Sequence, residues 1–217
     1  MPSFDPPALA RVIEAGAATG AAQRAGLLIH GRDRSPEEMI ELAAGLALPD
    51  AAQVRWLAPA IQGGSWYPGR FFDPIQTNFP YISNAFEIFD QLMDDVREGG
   101  RLPSSQLIVL GFSQGACLAL EYAVRNLGRA RSIISFTGGL FGSPGALWPA
   151  YPRPLARSRI FISGSDVDNW IPFERTQETA KILAGLGANV TLKIYAGRPH
   201  VVCDQELEDA RAFLSPP

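Results

Sequence analysis

Short, almost wholly apolar runs alternate with helical segments from about residue 25 to the C-terminus. The runs are Ala25–His30, Val54–Ala58, Leu107–Leu110, Ile133–Phe136, Arg159–Ser163 and Val190–Tyr195. A strand with no polar alternation is buried on both faces, and strands separated by helices pair in parallel. The expectation is an α/β fold: a mainly parallel sheet covered by helices on both sides. Between the strands, Ser35-Pro36-Glu37-Glu38 reads as a capping box opening a helix through Leu46. A helix from Ser83 repeats Phe86, Phe89, Met93 and Val96 at spacings of three and four and ends at Gly99-Gly100. Further helices are expected over Ala116–Leu127, from Pro172 to about Leu186, and over 205–214. The first twenty residues are compatible with an edge strand or a helix. With 217 residues, 47% of them apolar, the whole chain, 1–217, is expected to form a single domain.

The chemistry is concentrated in Gly111-Phe112-Ser113-Gln114-Gly115. A G-x-S-x-G pentapeptide is not rare by composition, and a serine after a strand often merely caps the next helix. Here an apolar strand runs directly into it, and Ala116, Cys117 and Ala119 keep the first helical turn thin. That setting suits a serine nucleophile raised on a tight strand-to-helix turn. Such a serine needs a histidine downstream, and the chain has only two. His30 lies far upstream, whereas His200 follows the last strand and is the candidate base. For the acid, Asp166 and Asp168 both sit in the loop after Arg159–Ser163, and spacing alone does not separate them. Two main-chain N–H groups would hold the oxyanion, one from Gln114 and one from the turn near Gly31-Arg32. In that role the side chains of Arg32 and Gln114 need not matter. Residues 61–82 have no clear period but carry six aromatics. Trp66, Tyr67 and Phe71 are candidate pocket walls with Trp170, and anchoring the segment to the core is the competing role.

Other classes have little support. Net charge is −3, and the arginines form no patch or tail, so no nucleic-acid partner is expected. No apolar run approaches the ~18–20 residues of a membrane span. The start of the chain does not read as a secretory signal. Cys117 and Cys203 read as two free thiols in a reducing, cytoplasmic setting.

LLIHG at 27–31, GFSQG at 111–115, DNWIP at 168–172 and PH at 199–200 together resemble the phospholipase/carboxylesterase family of α/β-hydrolases, which includes bacterial carboxylesterases and acyl-protein thioesterases. The resemblance spans nearly the whole chain and implies a small, largely lidless, cytosolic α/β-hydrolase fold needing no metal or cofactor. The family's D-x-x-[V/I]-P pattern falls on Asp168, Ile171 and Pro172, which selects Asp168 as the acid. It likewise implies Ser113 as nucleophile, His200 as base, and Arg32 and Gln114 as oxyanion donors. Gly115-Ala116 replaces the commoner Gly-Gly, Asp166 and Val167 lengthen the acid loop, and Gly64-Ser65-Trp66-Tyr67 resembles a bacterial esterase branch. These departures favour a generic carboxylesterase acting on small-molecule esters over a protein-depalmitoylating enzyme. Thioesterase or lysophospholipase activity and a non-catalytic binding role remain alternatives. The aromatic surface near 66–72 would serve a homodimer contact as readily as a substrate.

Overall fold

The computed structural model describes residues 8–97, 101–125, 129–143 and 155–215. Seven strands form one sheet: β1 (Leu9–Gly16), β2 (Arg24–Ile29), β3 (Val54–Ile61), β4 (Leu107–Phe112), β5 (Ser132–Phe136), β6 (Arg159–Gly164) and β7 (Asn189–Ile194). Their order is β1-β3-β2-β4-β5-β6-β7, with β1 antiparallel to β3 and every other pair parallel. The six strands expected from the sequence are all present, and the open N-terminal segment supplies the antiparallel edge.

Both faces of the sheet are buried along β2 to β6, as unbroken apolar strands require, whereas the edge strands β1 and β7 are half-buried or exposed. Leu27, Ile29, Leu107 and Val109 point into one core with α2 (Tyr81–Val96), α3 (Gln114–Arg125) and α4 (Phe173–Gly185). Their neighbours Leu28, Ile108, Leu110 and Phe112 point into a second core with α1 (Pro36–Gly45) and α5 (Asp204–Leu214). The alternation follows from the two-residue period of a strand. A fully buried Leu, Ile or Phe contributes about 1.5–3 kcal/mol relative to an exposed one, so these strands anchor the sheet.

The capping box of α1 forms as expected: Glu38 N–H donates to Ser35 Oγ at 3.2 Å and Ser35 N–H donates to Glu38 Oε2 at 3.0 Å. Several boundaries differ from the sequence reading by one to three residues, and three of them bear on the site. Strand β3 runs past Ala58 to Ile61, because its β2 register ends at Leu27↔Leu57 while β1 continues to pair with it through Val12↔Pro59. Proline is tolerated in a strand where one side has lost its partner. Helix α2 starts at Tyr81, ahead of Ser83, with the Pro80 carbonyl accepting from Asn84 N–H at 3.0 Å. Helix α3 begins at Gln114, so the nucleophile turn leads into it without a spacer. Residues 126 and 127, expected to end α3, and Gly99-Gly100, expected to end α2, lie outside the described residues. Among the described residues no helix is long and apolar enough to cross a membrane.

Candidate active site

Ser113 occupies the turn between β4 and α3 with a positive φ of 53°. A non-glycine residue in this region is strained by about 1–3 kcal/mol, and the surroundings must enforce it. They do so by close approach. A Cβ on Gly115 would sit 2.1 Å from the Ile29 carbonyl oxygen, and one on Gly111 would sit 2.3 Å from that of Gly115. The glycines on either side of the serine therefore let α3 start against the end of β2. The Ser113 N–H donates to the Phe136 carbonyl at 3.0 Å, tying the turn to β5.

His200 and Asp168 come from the loops after β7 and β6 at the same carboxyl edge of the sheet. Ser113 Oγ lies 2.8 Å from His200 Nε2, and His200 Nδ1 lies 2.8 Å from Asp168 Oδ2. The carboxylate accepts from Nδ1–H, which leaves Nε2 of the neutral ring free to accept the serine proton. Asp168 is buried, and its other oxygen accepts from the N–H groups of Trp170 at 2.8 Å and Ile171 at 3.0 Å. Burial works to raise this carboxyl, but the hydrogen bonds from His200, Ile171 and Trp170 outweigh it. The net effect is a pKa below the usual carboxylate value.

Asp166, the other candidate acid, accepts from Gly197 N–H at 2.7 Å and so ties the acid loop to the base loop. Arg198 braces the base loop from below. It pairs with the buried Glu206 of α5 at 3.0 Å, donates to Thr137 Oγ1 at 3.0 Å and donates to the carbonyls of Pro199 and Val201. Neither Arg198 nor Glu206 was singled out in the sequence. The available signal was an arginine two residues before the only usable histidine, which is too common to weigh alone.

A cleft of about 1180 Å³ opens over Ser113 and His200, lined among others by Arg32, Tyr67, Phe71, Gln114, Cys117 and Trp170. Trp170 stands at its mouth, 66% exposed, with its ring centroid 6.2 Å from that of His200. Tyr67 and Phe71 form buried wall. Trp66 is a correction: it does not line the cleft. It is fully buried, packs on His30 and Phe89, and donates from Nε1 to the His30 carbonyl at 3.0 Å. A side chain that long and apolar reaches through the loop into the core beneath it.

The side chains of Arg32 and Gln114 make defined contacts that the sequence did not suggest. Gln114 Oε1 accepts from Trp66 N–H at 2.8 Å, while its Nε2 donates to the Tyr67 carbonyl at 2.9 Å and to Ser65 Oγ at 3.2 Å. Arg32 donates to the carbonyls of Tyr67 at 3.0 Å, Pro68 at 3.2 Å and Gly69 at 2.7 Å.

Two groups near the site stay outside this relay. His30 is buried with Nδ1 donating to the Gly31 carbonyl at 2.7 Å; burial outweighs that bond and lowers its pKa, so it is neutral near pH 7. Cys117 sits one turn behind Ser113, and burial pushes its thiol up to about 12, keeping it protonated and a poor nucleophile. Both cysteines are free. Among the described residues no group of three His, Cys, Asp or Glu side chains is placed to hold a metal ion.

A strained serine followed by a helix, with a histidine and a buried carboxylate in line, recurs among hydrolases. The model of the phospholipase/carboxylesterase family matches residues 22–216. The chain belongs to the phospholipase/carboxylesterase family. Among solved relatives, a phospholipase/carboxylesterase from Dyadobacter fermentans is 31% identical, with a TM-score of 0.87 over 98% of this chain and 99% of that one. A Bacillus cereus carboxylesterase, at 17% identity, shares the fold with a TM-score of 0.72 over 94% of this chain and 92% of its own. In sequence, acyl-protein thioesterase 1 of Gibberella zeae is 27% identical over 134 residues, 61% of this chain and 57% of that protein. The chain spans about half the length of the curated relatives it matches, from 48% to 57%. The fold expectation, an α/β-hydrolase, thus holds, and the family assignment agrees with the motifs that suggested it.

Proposed function

We propose that the chain is a serine carboxylesterase that hydrolyses short- to medium-chain carboxylic esters through an acyl-enzyme on Ser113. The observation that carries this reading is the unbroken relay from Ser113 Oγ through His200 to Asp168, each link 2.8 Å long. In the first half-reaction His200 Nε2 takes the hydroxyl proton as Oγ attacks the ester carbonyl. The carbonyl π-electrons move to oxygen, where the N–H groups of Arg32 and Gln114 are the oxyanion donors. The tetrahedral adduct collapses, the C–O bond to the alcohol breaks, and His200 returns its proton to the leaving oxygen. Water repeats these steps on the acyl-enzyme and releases the acid. Asp168 holds the ring and stabilises the imidazolium throughout. Residues 1–217 work as one domain in this reading, and two free thiols fit a reducing, cytoplasmic location.

A second reading, acyl-thioester hydrolysis, is favoured by the relatives named acyl-protein thioesterase 1. The same nucleophile serves both carbonyls. Initial rates on p-nitrophenyl esters of increasing acyl length, beside matched thioesters and a Ser113→Ala control, test both. Ester turnover that peaks at short or medium chains and vanishes in S113A is the expected result. Faster turnover of every thioester would transfer the assignment to the second reading, and equal backgrounds in both proteins would end both.

A further inference from the structure

The two residues proposed as oxyanion donors both have side chains that grip the same strip of main chain, Ser65–Gly69, whose far end is also held by Gly69 N–H donating to Asn78 Oδ1 at 2.9 Å. Their grips converge on one atom. The Tyr67 carbonyl oxygen accepts from Arg32 Nη2 at 3.0 Å, from Gln114 Nε2 at 2.9 Å and from Ser65 Oγ at 2.9 Å. We propose that the Arg32 and Gln114 side chains are positioning residues, which act through the Ser65–Gly69 strip to fix the Arg32 N–H at the oxyanion position, opposite the Gln114 N–H that the helix already sets. The proposal rests on the esterase reading of Ser113.

The two donors differ in how much help they need. Gln114 N–H belongs to the first turn of α3, and its direction is already set by the helix and by the packing of Gly115 on β2. Arg32 N–H belongs to an irregular turn. That turn is closed by Arg34 N–H donating to the Gly31 carbonyl at 3.2 Å, and it carries Asp33 at a strained φ of 56°. Such a turn holds its shape only when neighbours over-determine it. The neighbour is the 64–69 strip: Asp33 N–H donates to the Gly64 carbonyl at 2.8 Å, and Arg32 binds three consecutive carbonyls further along. The strip in turn is anchored to the nucleophile helix by the Gln114 amide and to the core by Trp66. Bound this way, the strip splints one donor to the other. Arginine suits the task because its planar fork presents several donors at once, whereas a lysine ammonium on a flexible stem does not hold three carbonyls in line.

A splint that positions N–H groups affects the transition state and spares ground-state binding, which separates it from a loop that merely walls the substrate. The test compares wild type with R32A, R32K and Q114A on the p-nitrophenyl ester that wild type turns over fastest. It also measures inhibition by a trifluoromethyl ketone of the same acyl chain, which adds to Ser113 Oγ and carries its negative charge on the former carbonyl oxygen. Misplacing a donor by about 1 Å costs up to about a hundredfold, so kcat is expected to fall by about 10- to 100-fold in R32A and Q114A. KM should stay within about threefold, ketone affinity should fall in step with kcat/KM, and the pH–rate profile should keep its position. Ethylguanidinium added to R32A should restore part of kcat, which a globally damaged fold would not allow. R32K, the variant that keeps the charge, should behave nearer to R32A than to wild type, and it carries the test if R32A fails to fold. An unchanged kcat, or a raised KM with kcat intact, would overturn the splint. Loss of the esterase reading looks different: wild type itself would be inert to the esters and unlabelled at Ser113 by a fluorophosphonate.

Discussion

The two sides of the cleft are both built from loops at the carboxyl edge of the sheet, and an arginine grips main-chain carbonyls on each, but on one side Arg198 is in addition paired with the buried Glu206. On the acid–base side, charged groups brace the loops: Asp166 ties them together, and the buried Arg198–Glu206 pair supports the base loop from α5. On the side proposed to hold the oxyanion, side-chain amide and guanidinium donors converge on main-chain carbonyls of Tyr67–Gly69. The contrast follows from what each side has to position. A histidine ring and a carboxylate are aimed by bonds to side chains and loops. A backbone N–H can be aimed only by holding the backbone itself, so the neighbouring chain is gripped through its carbonyls.

The sharpest way to break the comparison is within the acid loop. Asp168→Asn should lower kcat by about 10⁴, because an amide no longer enforces the tautomer that leaves Nε2 as acceptor. Asp166→Asn keeps an acceptor for Gly197 N–H and should cost no more than about tenfold. A larger loss in D166N than in D168N would reverse the assignment of the acid.

Next in size is the buried pair under His200. Arg198→Met takes the cation away from the buried Glu206, whose Oε2 keeps the Cys203 N–H at 3.0 Å, and breaking such a buried pair destabilises by about 3–5 kcal/mol. For a chain of this length that lowers Tm by roughly 6–20 °C. The double variant R198M/E206L should recover most of the melting temperature while kcat stays low, because the bonds to Thr137, Pro199 and Val201 are still missing. Recovery of both would reduce Arg198 to a stability role.

Acid stability should divide the two sides more gently. His30 and Asp168 both have folded-state pKa values below their ordinary ones. For each, the unfolded chain binds the proton more readily, so stability is complete above the unfolded pKa and declines as pH falls towards the folded one. The His30 contribution declines first, below about pH 6.5, and that of Asp168 below about pH 3.9. Melting curves against pH should show two separate declines, with His30→Gln flattening the upper and D168N the lower.

The smallest effect concerns Cys117. Its protonated, buried thiol should leave ester hydrolysis unchanged after treatment with iodoacetamide at pH 8. Rapid inactivation that persists in Cys203→Ser, which removes the more accessible thiol, would show that the floor of the cleft opens to solvent.

Much of this protein was legible in its residues, and what was legible has a common character. Strands such as Leu107–Leu110 are recognisable because an unbroken apolar run has few other places to go. Ser113 and His200 stand out because a strand-to-helix turn and a chain with two histidines leave few choices. Asp168 was separable from Asp166 only through the family pattern; on local chemistry both are loop aspartates, and the difference between them is which faces the ring. Trp66 shows the limit from the other direction. An aromatic in an aperiodic, proline-rich segment is equally at home in a wall or a core, and the choice depends on the depth of the space beneath it. The Tyr67 carbonyl had no sequence signature at all, since every residue has one. The residues alone specified six of the seven strands, their order along the chain and Ser113 and His200 as the candidate nucleophile and base, because period, polarity and chain order are local or one-dimensional properties. Tertiary structure alone decided that Asp168, of two aspartates alike in local chemistry, reaches the ring, that Trp66 is buried while Trp170 is exposed, and that Arg32 and Gln114 grip one strip of chain. Those are distances between residues 30 to 50 positions apart, and only the folded sheet brings them to hydrogen-bonding range.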